Sequence, residues 1–111
     1  MFFKPGVKLR NPSTGLMLGL IIANEVYAVF AETNMRITSG NEGGAHHGRA
    51  SLHWSGNAAD LGSKEIPRHV EKQALVEEIK HRVGPDYDVI LESIDTPNEH
   101  IHMEYQPKGE L

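Results

Sequence analysis

His53, Asp60, Glu99, His100 and His102 are the residues whose types and spacing can do chemistry. They fall in two short segments, Ser51 to Leu61 and Glu99 to His102. Imidazole and carboxylate are the ligand types of catalytic zinc, which needs three protein ligands, an open position and a base nearby. His53, Asp60 and His102 supply the ligands in this reading, with Gly56 letting the chain bend between the first two. Glu99 is the candidate base, with Asp95 in reserve. In a regular strand Glu99 and His102 would point to opposite faces, whereas His100 and His102 share one. Pro97 and Asn98 resolve that conflict by placing Glu99 in a turn, outside the pleat. His100 then stands beside the metal, placed to stabilise an oxyanion or to orient a substrate.

Taken singly, each residue has an ordinary use. His53 fits a hydrogen-bonded loop histidine, Asp60 a turn cap, and His100-x-His102 a commonplace strand pair. The conjunction carries the reading: every ligand type is present, and a glycine-rich stretch leads to the first ligand. The chain has no cysteine, so disulfides and thiolate ligands are excluded, and any zinc is held by nitrogen and oxygen.

These residues need a scaffold, and 111 residues make one small domain, 1–111, able to bury a core without staples. A net charge of −4 with no basic patch argues against nucleic acid as a partner. The apolar run from Leu16 to Ala23 is too short for a membrane span and is interrupted by Asn24 and Glu25. With Lys4, Lys8 and Arg10 before it, and Val26-Tyr27-Ala28 after it, the run also has the form of an export signal. Apolar spacing that continues through Leu20, Tyr27 and Phe30 favours a domain helix instead.

Residues 1–12 read as extended or loop-like, with Pro5 and Pro12 blocking an early helix. Asn11 to Thr14 offers capping side chains for a helix over 14–32. A strand is expected over 35–39, a long loop over 40–52, and a short strand over 57–61. Pro67 marks the start of a second helix with the stripe Val70, Ala74, Leu75, Ile79 and Val83, ended by Gly84-Pro85. Strands over 87–93 and 100–105 flank a turn at 95–98. The order predicts an α+β domain: a mainly antiparallel sheet packed by two main helices. In the long loop, His46 and His47 either shape a cleft or face solvent. Arg49 either binds a carboxylate through its planar fork or is solvated. Trp54 reads as core, and His69 and His81 as solvent-facing.

The elements Ile37-Thr38-Ser39-Gly40, Ser51-x-His53-x-x-Gly56-x-Ala58-x-Asp60-Leu61 and Glu99-x-x-His102 resemble the D-alanyl-D-alanine carboxypeptidase family of zinc peptidases. This M15-like group shares its fold with the Hedgehog signalling domain and includes many phage endolysins. The resemblance spans residues 14–105 and implies a zinc peptidase acting on peptidoglycan, as D-Ala-D-Ala carboxypeptidase or L-Ala-D-Glu endopeptidase. It implies His53, Asp60 and His102 as zinc ligands and Glu99 as catalytic base, with Ser39 and Ser51 at polar positions beside the substrate. One departure stands out. Family members continue Ser-Gly-x with a substrate-binding arginine, and here that position is Glu42. The departure favours a rival reading, a zinc domain of the same fold that binds a partner or the wall without catalysis. A phage-like enzyme, made in the cytoplasm and acting on the wall, is the expectation for the short single-domain form.

Overall fold

The computed structural model describes residues 1–42, 53 and 55–108. The elements are β1 (Phe2–Phe3), α1 (Thr14–Phe30), β2 (Arg36–Ser39), β3 (Ala58–Gly62), α2 (Lys72–Val83), β4 (Tyr87–Glu92) and β5 (His100–Tyr105). Among the described residues they form one five-stranded sheet in the order β1-β2-β3-β5-β4. Every pairing is antiparallel except β1 with β2. The expected α+β class is therefore the observed one.

Alternation along the strands decides which residues become core. Ile37, Ala59, Leu61, Val89, Ile101 and Met103 are buried and join a cluster with Leu16, Leu20, Tyr27, Leu75 and Ile79 from the helices. The intervening residues Thr38, Asp60, His100, His102 and Glu104 take the opposite face. One face of the sheet thus holds the core, and the other gathers the ionisable groups.

Ser13 caps α1 by accepting from the Leu16 backbone N–H at 3.0 Å, as its position predicts. Gly15 and Gly19 lie one turn apart on α1, where a Cβ would collide with the rings of Tyr105 and Tyr87 respectively. Their lack of a side chain lets β4 and β5 dock closely. The Tyr87 hydroxyl donates to the Gly15 carbonyl, and the Tyr27 hydroxyl donates to Gly62 O at 2.8 Å across the core.

Two expectations need correction. The second helix begins at Lys72, five residues after Pro67. Pro67 instead opens a separate turn closed by Val70 N–H to Pro67 O at 2.9 Å, and the chain is extended again at Glu71. Val70 and His69 consequently precede the helix. The first helix ends at Phe30, short of residue 32; Ala31 closes it, and Glu32 adopts a positive φ of 52° that breaks the helical path. Residues 2–3, read as extended or loop-like, form a strand that pairs in parallel with β2. No helix among the described residues is long and apolar enough to cross a membrane.

Candidate metal centre

Asp60 and His102 are direct neighbours across the β3–β5 pairing, so the register alone brings their side chains together on the open face. His53 arrives from a turn closed by the Gly56 N–H donating to His53 O at 3.2 Å. Gly56 has φ +76°, and a Cβ there would sit 2.5 Å from Asn11 O. Only glycine suits both the left-handed backbone and this close approach. The Ser13 N–H then donates to Gly56 O at 2.9 Å, tying the turn to the start of α1.

The second support of His53 is Gly40 at the end of β2, whose carbonyl lies 2.8 Å from Nδ1. A carbonyl only accepts, so Nδ1 donates to it and Nε2 is the nitrogen left facing Asp60. Gly40 is itself packed on the Lys8 carbonyl, which accepts from Asn41 N–H at 2.7 Å. The Asn41 side chain completes the clamp, accepting from Arg10 N–H and donating to Arg10 O, each at 2.7 Å. The N-terminal segment before α1 therefore buttresses the first ligand.

The three side chains converge on one carboxylate oxygen. Asp60 Oδ1 is 2.9 Å from His102 Nδ1 and 3.4 Å from His53 Nε2. Ligand atoms of His53, Asp60 and His102 all lie within 4.8 Å of one another. Tetrahedral coordination at the roughly 2.0–2.2 Å of Zn–N and Zn–O bonds spaces ligand atoms by roughly 3.3–3.6 Å; the 3.4 Å between Asp60 and His53 lies in that range, and the 2.9 Å between Asp60 and His102 is that of a hydrogen bond. The remote nitrogen of each imidazole is also held: His53 Nδ1 by Gly40 O, and His102 Nε2 by Glu104 Oε1 at 2.7 Å. Metal-binding histidines characteristically have such outer partners, which fix tautomer and ring orientation. Together His53, Asp60 and His102 can hold a metal ion.

Burial works against charge on both Asp60 and His102, yet hydrogen bonds from His102 and His53 hold the Asp60 carboxyl well below the usual carboxylate range. Burial likewise pushes His102 down, but the bonds to Asp60 and Glu104 win and raise it to about 9.

Glu99 lies just before β5, in the turn and outside the pleat. It lines the same cavity of about 610 Å³ as His53, Asp60, His100 and His102. Its carboxylate is well supplied with donors: Lys72 Nζ and Ser63 Oγ on Oε1, and the Asp95 N–H on Oε2 at 3.1 Å. Those bonds, led by Lys72 and Ser63, lower it to about 2. Asp95, the reserve base, contributes this backbone N–H and has a left-handed φ of 62°. His100 is held between Asn98 O on Nδ1 at 2.6 Å and Glu92 Oε1 on Nε2 at 3.1 Å. Its Nε2 lies 3.8 Å from Asp60 Oδ1, beside the ligand cluster.

Ser39 also lines the cavity, and its hydroxyl donates to Glu42 Oε2 at 2.7 Å. The other Glu42 oxygen accepts from Gly40 N–H at 2.8 Å. Glu42, at the position where the resembled family has an arginine, thus folds back to brace the end of β2. Burial would raise its carboxyl, but the bonds from Gly40 and Ser39 bring it to about 2. Arg49 and Ser51, together with His46, His47 and Trp54, lie outside the described residues.

Sequence reasoning missed Glu104, Lys72, Ser63 and Glu92. Glu104 had a usable signal, since it follows His102 at the strand period of two. No family model matches the chain, and the curated proteins give no match either.

Proposed function

We propose that this chain is a zinc-dependent peptidase that hydrolyses peptide bonds in the stems or cross-links of peptidoglycan, built on the Hedgehog/DD-peptidase plan. The observation that carries it is the aim of the two imidazoles. Each has its remote nitrogen tied to an acceptor, leaving His53 Nε2 and His102 Nδ1 turned toward Asp60 Oδ1 inside a cavity that also contains a carboxylate.

Zinc bound there supplies a Lewis acid for the scissile carbonyl and makes water more acidic. The residues divide the remaining work. Glu99 is ionised at any physiological pH and faces the cavity, so it can take a proton from the attacking water. Because Lys72 and Ser63 disfavour its protonated form, it gives that proton up readily to the leaving amine. His100, held by Asn98 and Glu92 with its Nε2 3.8 Å from Asp60 Oδ1, is the side chain that can reach an oxyanion once Nε2 turns from Glu92. A phage-type enzyme, made in the cytoplasm and acting on the wall, fits this reading.

A second reading, a zinc domain that binds a partner or the wall without catalysis, draws on the donors that surround Glu99. A carboxylate so engaged is a weak base. Purified muropeptides incubated with the zinc-loaded protein and with Glu99→Ala, with products identified by mass, decide between them. Turnover lost in the variant with zinc retained is the expected result; no turnover in either protein would remove the peptidase reading.

A further inference from the structure

Beyond Glu99 the cavity does not end. A second concavity of about 600 Å³ adjoins it, and Lys64 and Glu99 line both. Its apolar wall comes from Ile66, Val70, Leu91 and Ile94. Three of these belong to the core or to its edge: Ile66 is buried, and Val70 and Leu91 pack against the central cluster. Ile94 does not. It sits in the β4–β5 turn, between the left-handed residues Ser93 and Asp95, and is 56% exposed.

A lone exposed isoleucine is unremarkable in a small domain. Here it faces a concavity with three aliphatic neighbours, on a turn whose other members are polar apart from Pro97. Among the described residues Ile94 stands outside the hydrophobic cluster, and it completes an aliphatic wall for something that enters. Each volume alone falls in the roughly 300–1,000 Å³ range of a small-ligand site. Because they share a wall, a ligand that fills both must be longer than either and must pass over Glu99 and Lys64.

We propose that this second groove is a substrate subsite that receives the continuation of the peptide cut in the metal-lined cavity. An aliphatic part of that chain seats against Ile66, Val70, Leu91 and Ile94. The bond cleaved then lies inside a cross-linked or extended peptide, away from a free chain end. This rests on the peptidase reading for the nature of the ligand, while its test is one of binding alone.

The test uses the full chain, zinc-loaded and carrying Glu99→Gln, so that labelled peptides are not consumed. Fluorescence anisotropy compares a cross-linked muropeptide dimer with a single-stem muropeptide. The dimer is expected to bind roughly tenfold more tightly, the scale of burying one aliphatic side chain. Ile94→Ser should remove most of that advantage and leave single-stem affinity within about twofold. Ile94 is exposed, so folding does not depend on it; Val70→Ser gives an independent second reading of the wall. Equal affinity for the two peptides, or variants that weaken both alike, would overturn the subsite. Failure of the peptidase reading registers separately, as absence of turnover by the protein that retains Glu99.

Discussion

Two carboxylates in one cavity, Asp60 and Glu99, are both surrounded by donors, yet the donors differ in kind. Asp60 sits mid-strand among imidazoles, and its bond to His102 Nδ1 is made through a proton that a metal ion can displace. Glu99 sits in a turn and accepts from an ammonium, a hydroxyl and a backbone amide. None of these yields its place to a metal. The comparison teaches a division of labour: Asp60 is placed where it can hold a metal ion, while Glu99 has a resident cation in Lys72.

The largest effect should come from breaking the first cluster. His53→Ala, Asp60→Ala or His102→Ala should each reduce bound zinc from near one per chain to a trace, measured by elemental analysis after dialysis. Glu99→Ala should retain full zinc. If Glu99→Ala lost the metal as well, the two carboxylates would not be distinct in function and the comparison would fail.

Next comes turnover. Glu99→Gln should lower kcat on muropeptides by about 10²–10⁴-fold, the usual worth of a general acid–base group, with zinc content unchanged. A fall of less than about threefold would assign proton transfer to another group. His100 would then be the residue to test, given its place beside Asp60.

The two clusters also differ in how far they could be read from the sequence. His53, Asp60 and His102 could be singled out in the sequence because imidazole and carboxylate are the restricted types that hold a metal ion, and the structure brings them together. The position of Glu99 in a turn followed from Pro97 and Asn98. Its partners did not follow from anything local. Lys72 and Ser63 are 27 and 36 residues away, and neither type is diagnostic of a site. Their approach depends on the turns over 63–70, where Pro67 gives the same signal for a turn as for a helix start. The pairing of β1 was hidden for a similar reason: two residues carry no period, and a parallel partner lies 34 positions on.

A smaller effect sharpens the metal side of the comparison. Glu104 touches no ligand position but holds His102 Nε2. Glu104→Gln should weaken zinc affinity about 10–100-fold, read by competition with a chromogenic chelator, while stoichiometry at saturating zinc persists. An unchanged affinity would mean that the register of β3 and β5 alone orients His102.

The smallest effect isolates Glu99 from the metal altogether, in acid unfolding of the zinc-free protein. The carboxyl of Glu99 lies at about 2 when folded, below its ordinary 4.5, because Lys72 and Ser63 favour the charged form. A folded value below the unfolded one contributes stability that is complete above 4.5 and is lost as pH falls toward 2. Lys72→Met removes the principal donor, so it should cost about 1–2 kcal/mol at pH 7, the worth of a hydrogen bond to a charged group. The cost should shrink as the medium is acidified through the folded value of about 2 and vanish only below it, where Glu99 is protonated in both proteins. Urea unfolding at a series of pH values reads this directly. A Lys72→Met deficit that stayed constant down to pH 2 would show that Lys72 acts through packing of its alkyl stem, and that Glu99 owes its low value to Ser63 and the Asp95 amide.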